Sequence, residues 1–145
     1  MNTDAFHLSR FIEAQEASYA TALAELRAGR KRTHWIWFVF PQLKGLGRSA
    51  NADYYGLSGL AEARAYLAHP LLGQRLREAT AVMLAHQAAG AASVLGELDA
   101  LKFRSCMTLF ARADPAESAF GVALERFFAG EADARTLRLL GEAAG

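Results

Sequence analysis

The chain has 145 residues, 52% hydrophobic and 21% charged, and its 16 basic and 15 acidic side chains leave a net charge of +1. A single domain of this length buries about 68–70% of the surface its unfolded chain exposes, so a core needs neither disulfide nor metal. The near-neutral balance excludes the basic footprint of a duplex-binding domain and the composition of a disordered chain, and a lone cysteine, Cys106, excludes an internal disulfide and Cys–Cys zinc patterns.

The elements follow from apolar spacing and punctuation. Leu8, Phe11, Ile12 and Gln15 fall at i, i+3, i+4 and i+7, a first short helical face. Ser18 is placed to cap a second helix carrying Tyr19, Ala22, Leu23 and Leu26, with Gly29 suited to the residue just past its end. The basic run Arg30, Lys31, Arg32 then leads into His34-Trp35-Ile36-Trp37-Phe38-Val39-Phe40-Pro41-Gln42, which holds both tryptophans of the chain. Its aromatic and β-branched content is strand-like. A lone strand among helical segments would have no partner, however, so a short buried helix with His34, Trp37 and Phe38 on one face is expected.

Between Gln42 and Leu57 glycines replace periodicity, and a loop of that length is expected to be functional or locally folded. Ser58 is placed to cap a helix with Leu60, Ala63 and Leu67 that ends before His69-Pro70, and Pro70 fits a first helical position. Leu72, Leu76, Ala79, Thr80 and Met83 line the next helix. Another carries Leu98, Leu101, Ser105, Leu109 and Phe110. Asp114-Pro115-Ala116-Glu117 reads as a helix start, with Phe120, Leu124, Phe127 and Phe128 as the face that follows, and Asp133 begins a last short helix. No clean two-residue alternation occurs, so residues 1–145 are expected to form one all-α, multihelical domain of about six to eight helices.

Three blocks carry a resemblance. Arg30-Lys31-Arg32-x-His34-Trp35-x-Trp37-Phe38-x-Phe40-Pro41-Gln42-x-Lys44-Gly45-Leu46-Gly47 is the first; residues 62–76, from Glu62-Ala63-Arg64 through His69-Pro70-Leu71-Leu72-Gly73 to Arg75-Leu76, are the second. Asp99-x-x-Lys102-x-x-Ser105-x-Met107-Thr108-Leu109-Phe110 is the third. Together they resemble a small bacterial family of unknown function, sometimes mislabelled calpastatin. The chain departs from the family pattern at Cys106, where serine is more frequent. The resemblance implies a single multihelical domain and no particular activity. Calpastatin's inhibitory segments are disordered, whereas this composition is globular, so a calpain inhibitor is not expected.

Candidate site residues cluster at the polar ends of these blocks. Trp35 and Trp37 are core residues or an aromatic floor, and His34, Gln42, Lys44 and Arg48 bracket them. Asp99, Lys102, Ser105 and Thr108 form a polar stripe on one helix. Lys102 beside Ser105 invites comparison with a Ser–Lys nucleophile pair, against the plainer reading of an ion pair with Asp99 and a serine bonded to its own helix. Cys106 reads as a small hydrophobe or a reactive thiol. The histidines are scattered, so no metal is expected, and Gly45-Leu46-Gly47 lacks the third glycine of a dinucleotide fingerprint, so no cofactor is expected.

Two functions remain in contention. One is a site for an anionic, nucleotide-like small molecule, with or without catalysis, in which His34 and Lys102 come from distant helices to one concave surface while Phe38 and Phe40 are structural. The other is a non-catalytic module meeting an acidic protein or nucleic acid through the Arg27–Arg32 patch, although the small net charge speaks against nucleic acid. No basic stretch followed by an apolar run opens the chain, and no apolar run approaches a membrane span, so a soluble cytoplasmic protein is expected.

Overall fold

The structure is a computed structural model that describes residues 4–141. The first three residues, part of the amino-terminal stretch considered above, lie outside the described residues. Among the described residues the elements are α1 (Ser9–Arg27), α2 (Ile36–Val39), α3 (Ala50–Tyr54), α4 (Leu60–Ala68), α5 (Pro70–Leu84), α6 (Ala91–Leu95), α7 (Glu97–Ala113), α8 (Ser118–Phe128) and α9 (Ala134–Leu139). The all-α class holds. Nine helices appear among the described residues instead of six to eight because α3 falls in the stretch read as a loop and α6 in residues to which the sequence assigned no element. No helix among the described residues is long and apolar enough to cross a membrane.

The two helices expected before residue 29 are one. Ser18 lies inside α1 and donates its hydroxyl to the Ala14 carbonyl at 2.6 Å, a back-bond that lets serine ride mid-helix without capping anything. Past its end, Gly29 takes φ +77°, its N–H bonds the Leu26 carbonyl and the Arg30 N–H bonds the Glu25 carbonyl. This crossed pair satisfies two carbonyls that a helix end otherwise leaves open.

Residues 58 and 114–117 also behave differently from expectation. Ser58 does not cap α4; its N–H and hydroxyl both donate to Glu62, at 2.8 and 2.9 Å. Asp114 ends α7, the Glu117 N–H bonds the Asp114 carbonyl in a turn, and α8 begins only at Ser118, with Glu117 extended at its N-cap and its carboxylate paired with Arg77 of α5. By contrast, Pro70 does open α5, with Nδ1 of His69 accepting from the Leu71 and Leu72 N–H groups.

α7 runs through the middle of the molecule, packing against α2, α4, α6, α8 and α9. Its buried face is Phe103, Cys106, Met107 and Phe110, while Leu98 and Leu101, expected on the apolar side, are 74% and 57% exposed. One continuous core joins this face to Phe11, Leu26, Trp35, Phe40, Tyr66, Leu76 and Phe120.

Candidate functional site

The aromatic segment is mostly core, with the opposite face inward to the one expected. Trp35, Ile36, Val39 and Phe40 are buried, Trp37 and Phe38 are half-buried, and His34 is exposed. Four residues make little more than one turn, so the flanking Trp35 and Phe40 turn inward with Ile36 and Val39 and leave residues 37 and 38 at the margin. Phe40 meets Phe103 edge-on at 4.9 Å, and Phe38 meets Tyr55 at 5.2 Å. Trp35 is 1% exposed, and its indole N–H donates to Glu25 Oε1 at 2.9 Å.

Glu25 organises the basic run. Besides Trp35 it accepts from the Arg32 N–H, the Thr33 N–H and the Thr33 hydroxyl. Burial alone would raise its pKa, but these four donors outweigh that and lower it to about 2. Lys31 turns inward, its ammonium 5.2 Å from the Trp35 ring and 2.8 Å from Asp99 Oδ2.

The polar stripe of α7 opens onto a cleft of about 340 Å³. That is at the lower end of the size range for small-molecule sites. α7 supplies Leu98, Leu101, Lys102 and Ser105 at i, i+3, i+4 and i+7. The loop after α2 forms the second wall with Gln42, Leu46 and Gly47, and the start of α9 forms the third with Asp133 and Arg135.

Each wall is held by backbone-directed bonds. Pairing of Leu43 with Leu57 in a parallel bridge fixes the loop: the Leu57 N–H bonds the Gln42 carbonyl at 3.0 Å and the Lys44 N–H bonds the Leu57 carbonyl at 2.8 Å. A Cβ at Gly47 would come within 2.6 Å of Ala52 Cβ, so only glycine lets the loop close onto α3. On the other side the Asp133 N–H donates to the Thr108 hydroxyl at 2.8 Å, and Arg104 donates to the carbonyls of Glu131 and Ala132. Asp133 Oδ2 caps α9 through the Thr136 N–H and hydroxyl.

Three of the residues expected at a site thus meet here: Gln42, Lys102 and Ser105. Gln42 is only 7% exposed as a residue, and its carboxamide makes no hydrogen bond among the described residues, but its polar atoms are not sealed off: the fully buried side-chain atoms without a partner there are Trp37 Nε1 and Thr80 Oγ1. Lys102 reaches Asp99 Oδ1 at 3.4 Å, but Asp99 is already paired more closely with Lys31, which leaves the Lys102 charge only loosely compensated. Ser105 donates to the Leu101 carbonyl at 3.1 Å, so no Ser–Lys pair forms. Arg135 is exposed and makes no ion pair or hydrogen bond among the described residues.

The other expected residues lie elsewhere. Trp35 and Trp37 do not line the cleft, and neither does His34, which is turned to solvent beside the loop that Glu25 ties down. The convergence of His34 with Lys102 on one concave surface is therefore not found. Lys44 is exposed, 3.8 Å from Asp53. Arg48, at the far end of the loop, is exposed as well. Cys106 is fully buried, and burial raises its thiol pKa, which removes the reactive-thiol reading. Sequence reasoning missed Asp133 and Arg135 as site residues: Asp133 carried only a helix-start signal, and nothing local tells which helix α9 packs against. Among the described residues no group of three or more His, Cys, Asp or Glu side chains is placed to hold a metal.

Comparison with known proteins matches residues 5–140 to the family described as "Protein of unknown function (DUF1810)". No curated protein matches the chain. The crystal structure of the conserved hypothetical protein Rv1873 from Mycobacterium tuberculosis is similar throughout: 49% identity, a TM-score of 0.93, and coverage of 97% of this chain and 100% of that one.

Proposed function

We propose that this chain, which belongs to the DUF1810 family of proteins of unknown function, binds a small anionic metabolite in the cleft walled by α7, the loop after α2 and the start of α9. The observation that carries the reading is Gln42, a residue only 7% exposed whose carboxamide makes no hydrogen bond among the described residues, at the wall of a cleft that also holds Lys102 and Arg135. A carboxamide that spends no hydrogen bond on the fold is free to give one to a ligand. The arginines in the other hollows are already engaged, and Lys44 there faces Asp53 at 3.8 Å. Arg10 donates to four carbonyls and Glu62, Arg64 donates to the Ala113 carbonyl, and Arg77 pairs with Glu117. No aromatic ring lines the cleft, so the reading takes an anion held by charge and amide contacts in place of a base stacked on tryptophan. The Ser105 hydroxyl is spent on its own helix, so the reading is one of binding.

The test is a thermal-shift titration with inorganic phosphate and simple carboxylates at constant ionic strength. Occupancy at 100 times Kd stabilises a protein by about 2.7 kcal/mol, which is readily seen as a raised Tm. Arg135→Gln and Lys102→Gln are expected to weaken the response. Absence of any shift, or identical shifts in both variants, would contradict the reading. The second reading, contact with an acidic partner, has in its favour that Arg27, Arg30 and Arg32 are exposed and form no ion pair among the described residues. It gains if polyanion binding occurs and Arg135→Gln leaves it untouched.

A further inference from the structure

We propose that the ligand is amphipathic: an aliphatic monocarboxylate whose head sits in the cleft and whose chain crosses Leu101 into a second, apolar groove. The inference rests on the cleft reading above and adds the class of ligand. The groove, of about 550 Å³, lies between the start of α6, α7 and the end of α8, with Ala100, Phe127 and Phe128 among its lining residues. Leu101 lines both concavities, so the two adjoin along one ridge. Leu98 and Leu101 contribute little to the core, which Phe103, Met107 and Phe110 already fill from α7. Their apolar surface instead borders the polar cleft, where an aliphatic chain would cover it.

Charge fixes the direction of the ligand. The cleft holds Lys102 and Arg135, whereas the charged side chain lining the groove is Glu97, which repels an anionic head. Charge also selects the head. Lys31 takes up Asp99, so Lys102 and Arg135 against Asp133 leave one excess positive charge at the cleft, suited to a monoanion. A phosphate monoester carries about −1.5 to −2 at neutral pH and overfills it. The Arg135 guanidinium offers the planar fork that a carboxylate accepts, and Gln42 supplies a further N–H.

Isothermal titration with butyrate, hexanoate, octanoate and decanoate at pH 7 and fixed ionic strength tests this. Kd is expected to fall about two- to fourfold per added methylene, fourfold being the ratio for a fully buried one. Ala92→Glu places a charged side chain in the groove at an exposed position that does not line the cleft. It is expected to reduce decanoate affinity to that of butyrate and to leave butyrate unchanged. Equal Kd for all four acids overturns the amphipathic ligand while the cleft reading stands. No binding of any carboxylate or of inorganic phosphate overturns both. A chain-length dependence that persists in Ala92→Glu and in Arg135→Gln shows adsorption elsewhere and also overturns the inference.

Discussion

Two buried polar side chains show opposite uses of polarity. Glu62 is fully spent: Arg10 Nη2 reaches it at 2.8 Å, and Ser58 donates to it twice. Gln42 is nearly as buried and spends nothing. Removing a spent group strands its partners, whereas removing an unspent one strands none. Gln42→Ala is therefore expected to cost about 1 kcal/mol or less in urea unfolding while abolishing the Tm response to anions. His34→Ala, at an exposed residue outside the cleft, is expected to change neither stability nor that response. A loss of several kcal/mol in Gln42→Ala would show that the carboxamide serves the fold.

Loops and helix junctions carry the next level of control. The segment from Arg32 to Trp35 hangs on one carboxylate, and its pKa of about 2 lies below the ordinary 4.5. With the folded value depressed, the stabilisation from Glu25 is complete above about 4.5 and is lost as pH falls toward 2. Urea midpoints measured from pH 6 to 2.5 are expected to fall in the wild type by more than in Glu25→Gln, which lacks this titration. Parallel curves would refute the assignment. The α4–α5 corner has a tighter constraint. A Cβ at Gly73 would lie 2.1 Å from the Leu67 carbonyl oxygen, which is backbone and cannot swing away. Alanine ordinarily gains about 1 kcal/mol over glycine inside a helix. Here overpacking of about 1–3 kcal/mol opposes that gain, so Gly73→Ala is expected to lower Tm.

At the scale of the whole molecule, α7 is the hub, and the first block of the sequence packs onto it through Phe40. Phe40 is fully buried between Phe103 and Trp35, at 4.9 and 6.3 Å between ring centres. Phe40→Ala is expected to cost about 3–5 kcal/mol in chemical denaturation, the usual range for a buried phenylalanine. Phe38→Ala should cost less, because Phe38 is only half-buried against Tyr55. Equal losses in the two variants would contradict this account of the segment.

Local spacing and punctuation were enough for the helical class, the Pro70 start of α5, the inward set Leu72, Leu76, Ala79, Thr80 and Met83, and the Asp133 cap of α9, because each depends on residues within a turn or two of one another. The first block also pointed to Gln42, and the third to Lys102 and Ser105. Periodicity alone did not tell the inner side of the one-turn α2 from the outer, because four residues do not complete a pattern. It placed Leu98 and Leu101 inside because apolar spacing marks a face without saying whether another element covers it. Only the tertiary structure decided that. It also brought Arg135 and Asp133 beside Lys102, through contacts some 30 residues apart along the chain. Finally, it gave Trp35 to Glu25 and left Gln42 without a partner. Which donor meets which acceptor depends on how helices pack, and no local pattern records that.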